Sequence, residues 1–169
     1  MQAIIKKRGI FYWNKYLIIS LIMLFFYKTA ISQSLPDFTI QLTSGKLFTA
    51  KNLTHDKPVI IIYFSPDCEH CQVLMNEIFK RIQSFKKAQI VMATFNPVDE
   101  VIAFEKLHQT ARYPNIKVGI EKPVFFFRYY YQLENTPFTA LYDKNGKLII
   151  SYKKQTPVDD LLKHLNALR

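Results

Sequence analysis

Two cysteines three residues apart are the side chains of this chain best suited to chemistry. Cys68 and Cys71 are the only cysteines among the 169 residues, and Glu69 and His70 lie between them. At the start of a helix, residues three apart lie on one face and one turn apart, so their sulfurs can come within bonding distance. Such a pair can cycle between dithiol and disulfide, with a thiolate as the attacking species. The spacing therefore predicts thiol–disulfide exchange.

The segments on either side of the pair predict a strand that leads into a helix. Val59 to Phe64 is a continuous apolar run of β-branched and aromatic residues, which is typical of a strand buried on both faces. After a short break, apolar residues recur at intervals of three and four, as on the buried face of a helix. These positions are Leu74, Met75, Ile78, Ile82 and Phe85.

This placement gives the two cysteines different roles. Cys68 is expected at the helix N-terminus, where unpaired backbone N–H groups and the macrodipole favour a thiolate. Cys71 lies one turn further into the helix. We therefore expect Cys68 to attack a disulfide and Cys71 to resolve the mixed disulfide that forms.

Two other uses of a cysteine pair fit the sequence less well. A structural disulfide across so short a loop restrains the unfolded chain little, because loop entropy grows with loop length. A zinc site needs four ligands, and the sequence has no second Cys-x-x-Cys and no His pair at ligand spacing. Redox exchange is the preferred interpretation, and no metal or cofactor is predicted.

The first 32 residues have the pattern of an export signal. Residues 6–8 form a charged start, residues 17–27 are apolar, and small residues before Gln33 fit a cleavage site. The apolar run is shorter than the about 20 residues of a membrane-spanning helix; an uncleaved membrane anchor is the alternative. We expect a leader over residues 1–32, one domain over 33–169 and a periplasmic or other extracytoplasmic location, where disulfides persist.

The net charge of +10 divides equally between the leader and the domain. The leader holds five basic residues and no acidic one, which leaves 18 basic and 13 acidic residues, or +5, in the domain. The basic residues of the domain are scattered along the sequence. No nucleic-acid partner is therefore predicted.

The rest of the chain alternates between strand and helix patterns, as in an α/β sheet. Residues 38–42 and 46–48 fit a hairpin, and residues 89–95 fit another buried strand. Asn96 is typical of a helix cap and Pro97 of a first helical residue. The apolar spacing continues that helix to about position 112.

The last third of the chain holds one ambiguous segment, one hairpin and a final helix. Residues 122–133 fit a strand by their aromatic content and a helix by the proline near their start. We assign these rings to core packing, with some of them free to form an exposed surface beside the cysteines. Residues 138–142 and 147–152 are two strands joined by a turn with Asn-Gly, the strongest short hairpin signal. The final helix opens after Thr156.

With these elements in this order, the chain resembles the thioredoxin superfamily, and more narrowly its exported redoxins. These are extracytoplasmic thiol–disulfide oxidoreductases of cytochrome c maturation and periplasmic disulfide reduction, related to the alkyl hydroperoxide reductase and thiol-specific antioxidant proteins. The matching segments are Leu35-Pro36-Asp37-Phe38, Lys57-Pro58-Val59, Tyr63 to Cys71 and Asn135-Thr136-Pro137-Phe138-Thr139.

The resemblance implies an α/β, thioredoxin-like fold with a central mixed β-sheet and helices on both faces. It implies that Cys68 and Cys71 are the redox-active pair and that Pro137 is a cis-proline facing them. Thr136 is expected to offer backbone groups to an extended substrate segment. The implied partners are protein disulfides or dithiols, with a membrane protein as candidate electron donor.

Two departures from the family pattern bear on the chemistry. Many thioredoxins have a tryptophan directly before the first cysteine and a buried carboxylate six residues before it. This chain has Asp67 and Ile62 at those positions. The proton acceptor for Cys71 is therefore not identified, and Glu69 and water are the candidates.

The two residues between the cysteines are expected to tune the redox behaviour. His70 resembles the histidine of strongly oxidising periplasmic enzymes, and its imidazolium would stabilise the Cys68 thiolate; it can equally be a solvated spacer. Glu69 is negative and opposes the thiolate. We expect a modestly reducing protein that reduces protein disulfides.

Two other functions stay open at this point. A peroxidase related to the peroxiredoxins would need a hydroxyl at position 65, which Ser65 supplies, and a proline at position 61, where this chain has isoleucine. A non-catalytic thioredoxin-fold module would use the two cysteines as a soft metal clamp or a partner site. Hydrogen peroxide consumption and metal titration of the reduced protein separate these functions from disulfide exchange.

Overall fold

The computed structural model describes residues 33–168, so the predicted leader and its cleavage site lie outside the described residues. In the described part the strands are β1 (Thr39–Leu42), β2 (Leu47–Thr49), β3 (Val59–Tyr63), β4 (Gln89–Thr94), β5 (Ile116–Lys122), β6 (Phe138–Tyr142) and β7 (Leu148–Lys153). The α-helices are α1 (Glu69–Lys80), α2 (Val98–His108), α3 (Phe126–Tyr131) and α4 (Val158–Ala167). None of the described helices is both long enough and apolar enough to cross a membrane.

The strands form one mixed sheet in the order β2-β1-β5-β4-β3-β6-β7. The neighbours β3, β4 and β5 run parallel, and the other neighbouring pairs run antiparallel. All five residues of β3 are buried, because strands flank it on both sides and both of its faces are covered. Since β3 and β4 are parallel, the loops that follow them emerge at the same edge of the sheet.

Each face of the sheet has its own core. On the first face, α1, α2 and α4 pack against the alternate β3 residues Ile60 and Ile62. On the second face, α3 buries Phe127 and Tyr131 beside Tyr63. The predicted α/β fold, with a mixed sheet and helices on both faces, is therefore confirmed.

Three helix boundaries differ from the prediction. The predicted apolar positions beyond α1 belong to a 3₁₀ turn, Ile82–Phe85, and do not continue the helix. Helix α2 begins at Val98, with Pro97 as its cap residue, one residue later than predicted. Asn96 does not cap the helix, because its side chain is hydrogen-bonded to Ser65 instead. Helix α2 also ends earlier than predicted, and a separate 3₁₀ turn follows it.

Strand β5 is absent from the predicted elements because its sequence, IKVGIEK, mixes charged residues and a glycine with the apolar ones. Gly119 lies against the backbone of β1. A Cβ at this position would stand 2.7 Å from the carbonyl oxygen of Gln41, closer than real Cβ atoms approach. The glycine that weakens the strand pattern in the sequence is thus the residue that lets β1 pair with β5.

The ambiguous aromatic segment is mainly helical. Its first residue, Lys122, ends β5, and residues 126–131 form α3. Phe127 and Tyr131 are buried, as predicted for core packing, whereas Tyr129 is 77% exposed. The helix interpretation is therefore correct for the centre of the segment.

A buried carboxylate on β5 fixes the start of α3. Glu121 is fully buried, and it accepts hydrogen bonds from the Tyr63 hydroxyl at 2.8 Å and from the backbone N–H groups of Phe125 and Phe127 at 2.9 and 2.8 Å. Burial raises the pKa of Glu121, and these donors, together with the Arg128 guanidinium, oppose that rise. The carboxylate thus satisfies N–H groups that the short helix leaves unpaired at its start.

Removing the Tyr63 hydroxyl is expected to destabilise the protein. In the Tyr63→Phe variant, Glu121 loses a buried donor, which should lower the free energy of unfolding by roughly 1.5–3 kcal/mol. Urea denaturation followed by circular dichroism measures the change. The matched control is Tyr129→Phe, because Tyr129 is exposed. Equal stability of Tyr63→Phe and wild type would contradict the importance of this hydrogen bond.

Candidate active site

The loop after β3 enters α1 at the cysteine pair. Cys68 is the cap residue of α1 and has extended backbone angles, φ −82° and ψ 119°. Its carbonyl oxygen accepts the N–H of Gln72 at 2.9 Å, and its own N–H donates to the carbonyl of Ser65 at 3.2 Å. Cys71 lies one turn further on. Both thiols are free, Cys68 partly exposed and Cys71 fully buried.

The Cys68 sulfur lies among hydrogen-bond donors at the start of α1. Burial opposes ionisation of the thiol, but donation from the Cys71 thiol and from the backbone N–H groups of Cys71 and His70 outweighs burial and lowers the pKa of Cys68. On its other side, Cys68 Sγ lies 3.7 Å from the carbonyl oxygen of Thr136. The thiol is partly exposed, and its lowered pKa makes the reactive thiolate easier to form.

The Cys71 sulfur has the opposite character. It lies in the first core, and burial raises the pKa of Cys71 to about 12, with the neighbouring Cys68 adding to the rise. The backbone N–H of Ser65 donates to Cys71 Sγ at 3.5 Å and partly offsets the burial. The Cys68 thiol is thus ionised more readily than the Cys71 thiol.

The predicted substrate-binding residues lie directly across from Cys68. The Thr136–Pro137 peptide bond is cis, and the Thr136 carbonyl faces the Cys68 sulfur. The carbonyl of Pro137 accepts the N–H of Lys154 at 3.0 Å, which ties this loop to the end of β7. The structure therefore brings Thr136, and with it Pro137, to the cysteine pair.

A groove of about 680 Å³ lies along the first turns of α1, beside Pro137 and the loop between β7 and α4. Glu69 and His70 are exposed and line it, as does Val73, which is 60% exposed although it is apolar. The predicted tuning residues are thus part of the surface that an extended substrate segment would contact. The groove is lined by Glu69, His70, Val73, Leu74, Glu77, Pro137, Lys154, Gln155, Thr156, Pro157 and Val158.

The loops that follow β3 and β4 form a polar network that the sequence analysis does not predict. The Ser65 hydroxyl is hydrogen-bonded to the Asp67 carboxylate and lies 2.9 Å from Asn96 Oδ1, which also accepts the Thr94 hydroxyl at 2.8 Å. Asn96 Nδ2 donates to Glu100 Oε2 at 2.7 Å. The signal in the sequence is the polar loop after each of two adjacent parallel strands, because such loops meet at one edge of a sheet.

This network borders a second pocket, of about 500 Å³, between α1 and α2. The pocket reaches Cys71 and is lined mainly by apolar side chains, including Phe64, Met75 and Phe104. Ser65 and Glu100 lie on its polar side. This pocket is therefore a second opening near Cys71, separate from the groove.

No carboxylate on β3 faces Cys71, since Ile62 occupies the predicted position and is fully buried in the first core. The buried Glu121 lies in the network with Tyr63 on the other face of the sheet, away from the core that holds Cys71. Among residues 33–168, no group of three or more His, Cys, Asp or Glu side chains is arranged to hold a metal ion.

The model of the thioredoxin-like domain family matches residues 49–169 of the chain. Three solved structures share the fold. A candidate protein disulfide isomerase from Bacteroides thetaiotaomicron is 23% identical, with a TM-score of 0.66 over 84% of this chain and 91% of that one. A secreted disulfide oxidoreductase from Mycobacterium tuberculosis, homologous to DsbE of E. coli, is 17% identical, with a TM-score of 0.64 over 78% and 96%.

The third structure is the exposed lipoprotein thioredoxin Etrx1 of Streptococcus pneumoniae, which is 18% identical, with a TM-score of 0.60 over 79% of this chain and 100% of that one. No curated protein matches the sequence. At these identities the solved structures establish the fold alone. The chemistry of this chain depends on its cysteine pair.

Proposed function

The chain belongs to the thioredoxin-like domain family, and on that premise we propose that it is an extracytoplasmic thiol–disulfide oxidoreductase that reduces protein disulfides. The observation that carries the proposal is the asymmetry of the cysteine pair. The pKa of Cys68 is lowered and that of Cys71 is raised to about 12. A partly exposed thiol with a lowered pKa beside a buried thiol suits an attacking and a resolving residue.

The proposed reaction proceeds in two exchanges. The Cys68 thiolate attacks one sulfur of a substrate disulfide, the substrate S–S bond breaks, and one substrate sulfur leaves as a thiolate. Cys71, once deprotonated, attacks the Cys68 sulfur, forms the Cys68–Cys71 disulfide and releases the second substrate sulfur. Two electrons pass from the cysteine pair to the substrate, and two protons from the pair end on the substrate thiols or in solvent.

The groove suits an extended protein segment as substrate. The Thr136 carbonyl is next to the Cys68 sulfur, so a segment held by the backbone of Thr136 would present its disulfide to Cys68. The exposed Val73 offers an apolar contact in the groove. This arrangement supports protein disulfides as the substrate class.

Reduction of insulin tests the activity. The wild-type protein, kept reduced by dithiothreitol, should accelerate precipitation of the insulin B chain over dithiothreitol alone. Loss of hydrogen peroxide without acceleration of insulin reduction would favour the peroxidase alternative. Metal binding by the reduced pair without either activity would favour the binding module.

Glu69 is expected to keep the couple reducing. It is the first residue of α1, where proline fits a helix, so Glu69→Pro should leave the backbone in place. Loss of the negative charge beside Cys68 should lower the pKa of Cys68 and raise the reduction potential by about 20 mV, a small change because exposed charges are screened. Equilibration with a glutathione series measures the reduction potential of the variant against that of wild type.

Two outcomes test the cause of that shift. Glu69→Gln removes the charge without adding a ring, so it should give most of the rise if the charge is responsible. A lower potential for Glu69→Pro than for wild type would contradict a role of the Glu69 charge.

For wild type we expect a reduction potential nearer thioredoxin's about −270 mV than the about −120 mV of a strong oxidant. A value near the oxidising extreme would make the protein a disulfide donor.

The extracytoplasmic location is proposed from residues 1–32, whose charged start and short apolar run have the pattern of an export signal. It is supported by two structural neighbours that are described as secreted and as an exposed lipoprotein. A membrane protein is the proposed source of electrons outside the cytosol. N-terminal sequencing of native protein should begin at Gln33, and a start at Met1 would favour an uncleaved anchor.

A further inference from the structure

Resolution of the mixed disulfide requires that Cys71 lose a proton. Its thiol is fully buried, so the proton cannot pass directly to bulk solvent. The β3 side chains on this face, Ile60 and Ile62, are apolar. The acceptor must therefore come from the second pocket, which reaches Cys71 from the side of α2.

Four titratable side chains line that pocket: Asp67, Cys71, Glu100 and His108. The hydrogen bond from Ser65 lowers the pKa of Asp67, which makes Asp67 a weak base. His108 is stacked on Phe79 with ring centroids 4.5 Å apart, and burial lowers the pKa of His108. The His108 ring also packs against Phe104, with ring centroids 4.6 Å apart, whereas the Glu100 carboxylate is held on the polar side of the pocket.

The polar network holds the Glu100 carboxylate at the pocket. Asn96 Nδ2 donates to Glu100 Oε2 at 2.7 Å, while Asn96 Oδ1 accepts from Ser65 and Thr94. Asn96 is 8% exposed and Thr94 is fully buried, so this anchor is rigid. Ser65 also donates its backbone N–H to Cys71 Sγ at 3.5 Å. The same residue thus links the thiol to the network that positions Glu100.

We propose that Glu100 is the proton acceptor for Cys71 and receives the proton through solvent in the pocket between α1 and α2. The inference rests on the proposed function. It assigns to Glu100 the role for which the sequence offered Glu69 and water as candidates. Glu69 lines the groove on the other side of the pair, whereas Glu100 lines the pocket that reaches Cys71.

The Cys71 thiol gives its proton to the Glu100 carboxylate, which becomes a neutral acid. The Cys71 thiolate forms a bond to the Cys68 sulfur, the bond between Cys68 and the substrate sulfur breaks, and the substrate leaves as a thiolate. The substrate is reduced and the cysteine pair is oxidised. Glu100 then returns its proton to solvent through the pocket.

Rapid mixing of the reduced protein with oxidised glutathione tests this role. Acid quenching and mass spectrometry follow the formation and decay of the glutathione mixed disulfide on Cys68. In Glu100→Gln, decay should slow by about tenfold or more, the scale of general base catalysis. Formation, measured in a Cys71→Ser background, should be unchanged. The matched control is Asp99→Asn, which removes an exposed acid from the same helix turn and should leave both rates unchanged.

The direction of the effect separates proton transfer from simple electrostatics. Removing a negative charge near Cys71 favours its thiolate and would speed decay, whereas removing the acceptor slows it. Added acetate buffer should restore decay in Glu100→Gln, and Glu100→Asp should retain part of the rate. Decay of Glu100→Gln at the wild-type rate or faster would overturn the proposal.

A measurement on the unchanged protein covers the case in which Glu100→Gln does not fold. Decay of the wild-type mixed disulfide should be slower in heavy water than in light water, because a proton moves in this step. Equal decay in both solvents would overturn the role of Glu100. Failure of the wild type to form or resolve any mixed disulfide would instead contradict the proposed function.

Discussion

Replacing Cys68 with serine is expected to abolish disulfide reduction, with a loss of about 10³-fold or more in the rate of insulin reduction. A serine hydroxyl is not ionised near neutral pH and cannot form the mixed disulfide. The structure gives the reason why Cys71 cannot take over: it is fully buried, and burial raises the pKa of Cys71 to about 12. The residual rate should equal that of dithiothreitol alone.

The matched variant is Cys71→Ser, which keeps the attacking thiol and removes the resolving one. It should attack once and then stall, so that one substrate chain stays attached to Cys68 through a disulfide. Non-reducing gels and mass spectrometry detect this adduct. Accumulation of the adduct by Cys68→Ser, and not by Cys71→Ser, would reverse the assigned roles. Normal turnover by Cys68→Ser would remove the pair from the mechanism.

The cysteine pair and the elements that position it could be predicted because they depend on local sequence. The apolar run over residues 59–64 and the three-residue spacing of the cysteines place them at a strand–helix junction without reference to the rest of the chain. Pro137 is different, since only the family resemblance places it opposite Cys68. The structure has a cis bond before Pro137 and places the Thr136 carbonyl 3.7 Å from the Cys68 sulfur.

The features that were missed depend on contacts between residues far apart in sequence. Asn96 has the sequence context of a helix cap, yet its side chain is taken by Ser65, 31 residues earlier. Glu121 looks like a surface acid in a weak strand, and it is fully buried because Tyr63 and two backbone N–H groups satisfy it. Local patterns carry no information on such partners, because the partners come together only when the sheet forms.

The same limit explains why the acceptor for Cys71 was not identified. The sequence shows that Ile62 stands where a carboxylate is common, but it does not show what replaces that carboxylate. Glu100 lies 29 positions after Cys71 and has the sequence signature of an acid in the first turn of a helix. The two residues come together in the folded chain, at the pocket between α1 and α2 and through the hydrogen bonds of Ser65 and Asn96.

Alkylation of the reduced protein is expected to modify Cys68 far faster than Cys71. At pH 7, a thiol with a pKa of about 12 is ionised in about one molecule in 10⁵. The pKa of Cys68 is lowered, so a much larger share of Cys68 is thiolate. Because nucleophilicity falls as the pKa falls, the rate difference should be smaller than the difference in ionisation, on the order of 10²–10³-fold.

Iodoacetamide labelling read by peptide mass spectrometry measures the two rates, and urea provides the control. In the unfolded chain both thiols approach a free cysteine's pKa of about 8.5, so the preference should collapse toward equal labelling. Lowering the pH through the pKa of Cys68 should slow its labelling in the native protein, because the reactive thiolate becomes protonated. Preferential labelling of Cys71 in the native protein would contradict the assigned roles. Equal preference in the native and unfolded states would show that the fold does not create the asymmetry on which the proposed mechanism depends.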